Sequence, residues 1–360
     1  MTRPKYDYLI VGAGLYGAMF AHTAMLQGKK CLVIEKNNHI GGYCYTENVH
    51  GIEVHKFGAH IFRTNSKKVW NFVNSICEFV PFINSPLADC QGKIYNLPFN
   101  MNTFNQVFGA TTPAAAKEAI ERDKVVFDSP RNLEEHCLSI VGRRIYEMFI
   151  KGYTEKQWGK KCTELPASIM KRIPIRYTFD NNYFNEKYQG IPKCGYTEFI
   201  ARLLLGSNFA LGTDFFDDSE RLSSLARNIV YTGPIDKFYN YRFGKLDYRS
   251  VRFKETYLPD VDNLQGNAVI NYTDSHVPYT RMIEHKHFLK TQCNGTVLSY
   301  EFPCDYNENG SPCYPIPTEG NLMKYAKYKA LADKEPNVVF GGRLAEYKYY
   351  SMNDIIEQFV

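Results

Sequence analysis

The chain has 360 residues, of which 44% are hydrophobic and 22% are charged. This is the composition of a globular protein with a large core, and the length suggests two or three domains. The net charge of +5 comes without a dense Lys/Arg run, which argues against a nucleic-acid partner and suits an anionic small ligand. No stretch approaches the roughly 18 consecutive apolar residues of a membrane span, so we expect no membrane span.

Ten cysteines are scattered along the chain, and none forms a CxxC pair or a His/Cys spacing typical of metal ligands. We therefore expect free thiols packed as small apolar groups, no metal site and a cytoplasmic location. The first residues lack the apolar core of a signal peptide, which agrees with that location.

The chain opens with a β–α–β unit. Residues 6–11 form a short apolar run typical of a strand, residues 18–28 have the composition of a helix closed by Gly28, and residues 30–35 predict a second buried strand. This order predicts two parallel strands joined by a right-handed crossover.

The first turn of this unit carries a GxGxxG motif made of Gly12, Gly14 and Gly17. The first glycine permits a tight turn, the second lets backbone N–H groups approach a pyrophosphate, and the third lets the helix pack on the strand. The pyrophosphate then lies at the positive end of the helix, and Glu35, about 20 residues further on, binds ribose hydroxyls. These features predict dinucleotide binding; a glycine turn that serves packing alone is the alternative.

Two further glycine pairs favour FAD over NAD. Gly41 and Gly42 come soon after Glu35, which suits an FAD-linked fold whose backbone passes close to the cofactor a second time. Near the C-terminus, Gly341 and Gly342 precede Arg343, whose guanidinium is suited to pairing with the pyrophosphate. A simple turn is the alternative for this last pair.

Later elements fall into three groups. Residues 112–123 and 133–150 predict helices of a small domain inserted into the first fold. Residues 228–233 and 338–343 predict strands that return to the first fold, the second of them followed by a terminal helix. Alternation typical of a mixed or antiparallel sheet occurs at residues 93–97, 175–179 and 268–273.

A second set of anion-binding groups lies in the middle of the chain. Arg172, Arg176 and Arg281 offer planar guanidiniums, which clamp a diphosphate well, although each alone is more simply explained as a surface charge. A nucleotide-sugar site requires a flat base to be stacked beside such a clamp. The nearby aromatic residues are Phe149, Tyr153, Trp158, Tyr177, Tyr183, Tyr188 and Tyr279.

Several longer motifs resemble those of bacterial UDP-galactopyranose mutases. They run in order along nearly the whole chain, and KGYTEKQWG at 151–159 and DNNYF at 180–184 are far more specific than GxGxxG. The others are YLIVGAGLYG (8–17), FGAHIF (57–62), LPFNM (97–101), YQGIP (188–192), YTGP (231–234) and GGRLAEY (341–347).

The resemblance implies an α/β fold with three intertwined domains. These are an FAD-binding Rossmann-like domain, an inserted helical domain and a mixed or antiparallel β-sheet domain. The expected limits are 1–80, 190–265 and 315–360 for the first, 99–155 for the second, and 81–98, 156–189 and 266–314 for the third.

The resemblance also implies an isomerase reaction. UDP-galactopyranose and UDP-galactofuranose would be interconverted through a covalent adduct between the sugar and N5 of reduced FAD, which supplies galactofuranose for cell-surface polysaccharide. Arg172 and Arg281 match the two arginines that bind the diphosphate and stabilise the departing UDP. The expected partners are these UDP sugars, an electron donor such as NAD(P)H or a reductase, and a second copy of the chain in a homodimer.

Other positions match family residues that contact the ligands. Substrate contacts are matched by Asn84, Phe149, Tyr153, Thr154, Trp158, Tyr183, Asn271, Tyr314 and Tyr349. Cofactor contacts are matched by Gly12, Gly14, Tyr16, Gly17, Glu35, Lys36, Gly42, His60, Ile61, Arg249, Arg343 and Met352.

Two positions depart from the family pattern. Arg63 stands where a histidine is usual, and Ser351 stands where an aspartate is usual. Arg63 is longer and permanently charged, and beside the sugar it would donate to the carbonyl of a 2-acetamido group. We therefore hypothesise that it binds substrate and that UDP-N-acetylgalactosamine is also accepted; a neutral substitution that adjusts packing near the flavin is the alternative. At Ser351 the expected consequence is a change in flavin contacts or in pH dependence.

Two other classes of protein share part of this pattern. A flavin-dependent oxidoreductase of the amine-oxidase type has the same N-terminal fold but usually lacks a diphosphate clamp. A non-catalytic nucleotide-sugar binder has no need of FAD, so a colourless purified protein would favour it. Fold alone does not separate these classes, because function depends on the site.

Overall fold

The computed structural model describes residues 4–170, 175–306 and 311–360. The helices in these ranges are α1 (Leu15–Leu26), α2 (Lys67–Ile76), α3 (Met101–Phe108), α4 (Pro113–Asp123), α5 (Leu133–Ile145), α6 (Gly152–Trp158), α7 (Tyr196–Leu203), α8 (Ser219–Ser224), α9 (Ile235–Phe238), α10 (Lys286–Leu289), α11 (Glu319–Ala332) and α12 (Met352–Ile356).

The strands in the same ranges are short, apart from two that span the larger sheet. They are β1 (Tyr6–Val11), β2 (Cys31–Ile34), β3 (Thr46–Val49), β4 (Ile52–His55), β5 (Phe62–Thr64), β6 (Phe79–Pro81), β7 (Leu87–Cys90), β8 (Lys93–Asn96), β9 (Tyr188–Pro192), β10 (Asn208–Ala210), β11 (Ala226–Tyr231), β12 (Tyr248–Leu258), β13 (Val269–Tyr272), β14 (Arg281–Glu284), β15 (Thr296–Asp305), β16 (Tyr314–Pro315) and β17 (Val338–Phe340).

A five-stranded parallel sheet in the order β10-β2-β1-β11-β17 forms the Rossmann-like part of the fold. Both strands of the predicted β–α–β unit are confirmed, and β11 and β17 return to this sheet as expected. Helix α1 begins at Leu15, earlier than the predicted residue 18, because the extended Gly14 is already its N-cap. The terminal helix does not follow β17 directly; turns separate β17 from α12, so that expectation was wrong.

The larger sheet has seven strands in the order β16-β12-β15-β14-β13-β7-β8. Only β13 and β7 are parallel, so the sheet is mixed, as predicted. The strands expected at 93–97 and 268–273 are confirmed as β8 and β13. The strand expected at 175–179 was wrong: Ile175 makes a single bridge to Phe99, and the guanidinium of Arg176 then folds back onto the carbonyl oxygen of Phe184 at 3.0 Å.

The helical part packs its apolar faces around Phe104, Leu133 and Ile145, which are fully buried. Asn132 caps the N-terminus of α5, since its side chain accepts a hydrogen bond from the backbone N–H of Glu135 at 2.9 Å. The predicted helix 133–150 is α5 followed by a π-helical run, Tyr146–Lys151, that continues into α6. Such π-helical turns occur frequently at functional sites.

Two small sheets, β3-β4 and β5-β9-β6, complete the fold. We keep the division into three domains as a proposal, with one adjustment. Strand β12 pairs along its whole length with β15, so we assign 248–258 to the β-sheet domain rather than to the first domain.

The expectation that all cysteines are free was wrong for two of them. Cys77 and Cys194 form a disulfide across 117 residues of chain, because pairing of β6 with β9 brings their Cα atoms to 6.6 Å. The other eight are free thiols.

Within the part of the chain that the structure describes, no three His, Cys, Asp or Glu side chains are arranged to hold a metal ion. None of the described helices is long and apolar enough to cross a membrane.

Candidate active site

Two glycine turns meet at the carboxyl end of the parallel sheet. Gly12 has a φ of +109°, and a Cβ there would lie 2.1 Å from Oγ1 of Thr232. A Cβ on Gly17 would lie 2.1 Å from the carbonyl oxygen of Gly12, so helix α1 can approach β1 only without that side chain. A Cβ on Gly42 would lie 3.0 Å from Cα of Gly14, which shows how closely the second turn approaches the first. We call these turns the glycine framework.

The N-terminus of α1 is open to an anion. Its N-cap, Gly14, provides no side-chain hydrogen bond, and the first turn contains no acidic residue. Nearby, the buried carboxylate of Glu35 accepts hydrogen bonds from the backbone N–H groups of Ala13 at 3.0 Å and Asn37 at 2.9 Å. This fixes the carboxylate at the end of β2, where ribose hydroxyls would reach it. Lys36, the next residue, is exposed.

The segment after β17 packs against the same helix. A Cβ on Gly341 would lie 2.1 Å from the ring of Tyr16, and burial raises the pKa of Tyr16 to about 12. The guanidinium of Arg343 donates to the carbonyl oxygens of Cys313 at 3.1 Å and Tyr350 at 2.9 Å. Met352 is the first residue of α12, directly beyond this contact.

A second group of predicted residues converges around Arg281 on β14. Its Nε donates to the hydroxyl of Tyr153 at 2.9 Å, and its Nη1 lies 3.6 Å from Oε2 of Glu301. Burial opposes the charge of this guanidinium, but Glu301 and Tyr153 hold its pKa well above the ordinary value. Burial also raises the pKa of Tyr153 to about 12, so its hydroxyl stays protonated.

Tyrosine rings connect this cluster to Arg343. The guanidinium of Arg343 lies 5.5 Å from the ring centre of Tyr314 and 4.8 Å from that of Tyr349, and the two rings stack at 6.1 Å. Burial is the main cause that raises the pKa of Tyr314. The nearby charges of Arg343 and Arg281 both act in the opposite direction. We call Arg281, Arg343, Tyr153, Tyr314 and Tyr349 the tyrosine–arginine site; it presents cations and hydroxyl groups, which suits a diphosphate.

His60 connects the two groups of residues. Its Nδ1 lies 2.7 Å from the carbonyl oxygen of Gly58, and burial together with Arg343 and Arg281 lowers its pKa to about 4. The ring is therefore neutral at physiological pH. Ile61 beside it is buried in the main core.

Tyr183, Asn84 and Arg63 form a neighbouring group of substrate candidates. Tyr183 is close enough to Arg281 and Arg63 for both charges to act on its pKa, which burial raises. The backbone N–H of Tyr183 donates to the carbonyl oxygen of Asn84 at 2.8 Å. Arg63 on β5 stacks 4.1 Å from the ring centre of Phe184, and its Nη1 lies 3.3 Å from Oε1 of Glu186.

Helix α6 and the π-helical run before it supply the other candidates. Phe149 packs on Tyr95 with ring centres 5.1 Å apart, and Thr154 is buried, whereas Trp158 is partly buried at the end of α6. Arg249 on β12 donates from Nε to the carbonyl oxygen of Gln157 at 3.0 Å and is almost fully buried. In this structure it therefore caps α6. Arg172 lies outside the described residues.

Sequence reasoning missed Glu301, the buried carboxylate of the site. It faces Arg281 across the β14–β15 pairing and accepts from the hydroxyl of Thr280 at 3.2 Å. Only alternation along β15 could have marked it, because no motif surrounds it. Gln157, Gln189 and Asn271 each have a buried side-chain oxygen without a hydrogen-bond partner among residues 4–170, 175–306 and 311–360, so each could accept from a ligand.

Comparisons with known proteins identify the family and the fold. The profile of the UDP-galactopyranose mutase family matches residues 148–349, and that of the NAD(P)-binding Rossmann-like domain matches residues 10–76. A solved structure of a reduced UDP-galactopyranose mutase superposes with a TM-score of 0.74 at 12% identity, covering 99% of this chain and 92% of the other. At that identity the match supports the fold.

Two relatives are equally similar in sequence. A probable UDP-galactopyranose mutase of Klebsiella pneumoniae is 40% identical over 358 residues, covering 98% of this chain and 92% of the relative. A dTDP-fucopyranose mutase of Escherichia coli is 40% identical over 361 residues, covering 97% and 95%. The chain is therefore an enzyme of the isomerase class that belongs to the UDP-galactopyranose mutase family.

Proposed function

We propose that the enzyme binds FAD and interconverts UDP-galactopyranose and UDP-galactofuranose. The observation that carries this proposal is the tyrosine–arginine site. Arg281 is held by Tyr153 and Glu301. Arg343 lies beside Tyr314 and Tyr349. Both arginines are close enough to His60 for their charges to lower its pKa. This arrangement gives a diphosphate its cations and hydroxyl donors close to the glycine framework.

The residues present fit FAD. The open N-terminus of α1 would receive the pyrophosphate, Gly14 and Gly42 would let it approach the backbone, and the carboxylate of Glu35 would accept from ribose hydroxyls. We assign Tyr16, Lys36, His60, Ile61, Arg343 and Met352 to the flavin surroundings, with Arg249 acting through α6. Reduced FAD, when bound, supplies a nucleophilic nitrogen for the anomeric carbon of the sugar.

The chain's own residues act on the nucleotide sugar in two ways. Arg281, with Arg172, would stabilise the charge that develops on the diphosphate as the bond to the sugar breaks. Tyr153, Tyr314 and Tyr349 would donate to the same oxygens. Burial raises the pKa of Tyr153 and of Tyr314, so these two hydroxyls carry no charge that would repel the diphosphate. Because these donors are fixed by packing before substrate arrives, little reorganisation is needed.

The other substrate candidates would bind the uridine and the sugar. Phe149, Thr154 and Trp158 lie on the π-helical run and on α6. The aromatic rings of Phe149 and Trp158 suit a flat base. Tyr183 is close to Arg63 and binds the backbone of Asn84. Asn271 is opposite Arg281 in the sheet, and its unpartnered Oδ1 would accept from a sugar hydroxyl.

The test is turnover of UDP-galactofuranose by the purified protein, with and without dithionite, followed by chromatography and an absorbance spectrum. We expect a yellow protein that forms UDP-galactopyranose only after reduction, with no net consumption of reductant or oxygen. Equal rates for the oxidised and reduced protein would overturn the proposal. Steady oxygen consumption with an amine would instead favour the amine-oxidase alternative, and a colourless protein that binds UDP would favour the binder.

A second substrate follows from Arg63. Its guanidinium is held by Phe184 and Glu186 beside Tyr183, so it is oriented before a sugar binds. We propose that it donates to the acetamido carbonyl of UDP-N-acetylgalactosamine. The decisive comparison offers the wild type and Arg63→His three substrates: UDP-galactopyranose, UDP-N-acetylgalactosamine and dTDP-fucopyranose, the last because one relative bears that name. Absence of furanose product from the acetamido sugar in the wild type ends this part of the proposal.

The proposal includes a cellular setting. The enzyme would act in the cytoplasm as a homodimer, would be kept reduced by NAD(P)H or a reductase, and would supply galactofuranose for cell-surface polysaccharide.

A further inference from the structure

Helix α6 is fastened to the turn between β13 and β14 by one lysine. The ammonium of Lys156 donates to the backbone carbonyl oxygens of Tyr272 at 2.8 Å, Val277 at 3.1 Å and Tyr279 at 3.0 Å. An ammonium has three N–H donors, so these contacts use all of them. One helical turn earlier, a Cβ on Gly152 would lie 2.3 Å from the carbonyl oxygen of Thr273, so the backbone of α6 touches the same turn.

This turn carries two members of the site at its ends. Asn271 precedes it on β13 and Arg281 follows it on β14, and the two residues are directly opposite each other in the sheet. On the same helix as Lys156, Tyr153 accepts from Nε of Arg281 at 2.9 Å. The position of Arg281 relative to Tyr153 therefore depends on how firmly α6 holds the turn.

We propose that Lys156 is a positioning residue, which holds the β13–β14 turn against α6 and so keeps Arg281 and Asn271 aligned on the substrate. The inference rests on the proposed function, since it assumes that these two residues bind the nucleotide sugar. Lys156 itself acts through backbone carbonyls rather than on substrate. A misalignment of about 1 Å at such groups costs roughly a hundredfold in rate.

The alternative is that Lys156 only stabilises the fold, and pH separates the two roles. Burial lowers the pKa of Lys156 to about 8, although Asp274 opposes this shift. Above that pH the amine keeps two donors and turns a lone pair towards a carbonyl oxygen, so the turn loosens. The other titratable or charged groups around the contact are Asp89, Arg249, Tyr272, Tyr279 and Tyr300.

Stability has the opposite pH dependence. The pKa of Lys156 in the folded protein lies below that of an unburied lysine, so between the two values the unfolded chain binds more protons. The contribution of Lys156 to the free energy of unfolding therefore rises as pH increases from about 8. If Lys156 only stabilises the fold, neither stability nor activity should fall in this pH window. If Lys156 positions Arg281 and Asn271, activity should fall while stability does not.

The experiment compares wild type, Lys156→Met and Lys156→Arg, with Lys160→Met as the control at an exposed lysine just beyond the end of α6. Measured from pH 6.5 to 9.5 are kcat and KM for UDP-galactofuranose, UDP affinity by calorimetry, flavin content and thermal unfolding. For Lys156→Met we expect kcat/KM about 30-fold lower at pH 7, UDP affinity several-fold weaker and flavin content unchanged. Wild-type kcat/KM should fall above pH 8, while Lys156→Arg stays flat, because its guanidinium remains charged.

Each outcome decides the question. Wild-type kinetics in Lys156→Met, or a wild-type alkaline fall that persists in Lys156→Arg, overturns the inference and leaves the proposed function standing. If Lys156→Met fails to fold, the comparison of wild type with Lys156→Arg still decides. A wild type that converts no UDP sugar at any pH refutes the proposed function instead.

Discussion

The glycine framework and the tyrosine–arginine site form their polar surfaces in different ways. The first uses backbone N–H groups within residues 12–42. Three of its key positions, Gly12, Gly17 and Gly42, are glycines because a Cβ there would collide with neighbouring atoms. The second uses long side chains from β14, β16, α6 and the segment after β17. Strand pairing in the larger sheet fixes β14 and β16 relative to each other, and tertiary packing brings the other two segments to them. A backbone site is therefore sensitive to added volume, and a side-chain site is sensitive to lost charge or altered register.

The largest expected effect is at the side-chain site. Arg281→Ala should lower kcat by about 10³-fold, because a preorganised donor to the developing charge is worth roughly 4 kcal/mol. Flavin content should be unchanged, since the proposed cofactor-binding groups are the glycine framework, Glu35 and the N-terminus of α1. Steady-state kinetics and the flavin spectrum measure both quantities. The control is Arg252→Ala on β12, an exposed arginine of the same sheet; a loss of comparable size there would remove the special role of Arg281.

The backbone site is tested by adding one methyl group. A Cβ on Gly14 meets no protein atom closer than 3.8 Å, and its backbone conformation is open to any residue, so Gly14→Ala should fold. The methyl would occupy the proposed path of the pyrophosphate, and we expect flavin affinity about 100-fold weaker, or about 2.7 kcal/mol.

The matched control for that test is Gly320→Ala, where a Cβ meets nothing within 4 Å. Flavin titration and thermal unfolding of both apoproteins measure the effect. If Gly14→Ala retains the flavin content of Gly320→Ala, the cofactor does not pass over this turn.

How much could be predicted follows from the same difference. The glycine framework could be predicted from the sequence, because its glycines, strand and helix are contiguous along the chain. The local sequence pattern therefore determines the local structure. The local sequence pattern did not predict that Arg281 faces Glu301, because this depends on the register of β14 against β15. It did not predict that Arg343 lies against Tyr314 either, because this depends on packing between separate segments. The family resemblance matched Arg281, Arg343 and Tyr314 to ligand contacts, without indicating which residues they touch.

The errors have physical causes of the same kind. The strand expected at 175–179 alternates correctly, but Arg176 draws the chain into a loop by binding carbonyl oxygens further along. The disulfide between Cys77 and Cys194 joins positions separated by 117 residues, so no spacing indicated it. Arg172, central to the predicted clamp, lies outside the described residues and stays a prediction.

Three neighbouring histidines, His55, His60 and His285, give a pH test. The backbone N–H of His55 donates to Nδ1 of His285 at 3.2 Å, and that of His60 donates to Nδ1 of His55 at 3.1 Å. Burial lowers all three pKa values, to about 4 for His60 and about 3 for His285. Below about pH 6.5 the unfolded chain therefore binds protons that the folded chain does not. As the pH is lowered through this range, the free energy of unfolding decreases.

Each such histidine contributes a slope of about 1.4 kcal/mol per pH unit. His285→Gln should reduce the wild-type slope between pH 6 and 4.5 by that amount, measured by urea unfolding at several pH values. His276→Gln, at an exposed position, should leave the slope unchanged. An unaltered slope in His285→Gln would mean that this ring is already charged in the folded protein.

The smallest expected effect concerns Ser351, where the family usually has an aspartate. The side chain of Ser351 accepts from the backbone N–H of Asp354 at 3.2 Å, and Asp354 accepts from the backbone N–H of Ser351 at 2.7 Å, so the residue caps α12. Ser351→Ala should therefore cost about 1 kcal/mol of unfolding free energy.

Aspartate is an equally good cap, so Ser351→Asp should keep wild-type stability while adding a carboxylate next to Tyr350, whose carbonyl oxygen binds Arg343. Urea unfolding and kinetics of both variants separate capping from charge. If capping is the whole role of this position, activity follows stability in both variants. A change in kcat for Ser351→Asp at unchanged stability would show that the tyrosine–arginine site responds to charge here, because an added carboxylate beside Arg343 weakens its hold on an anion.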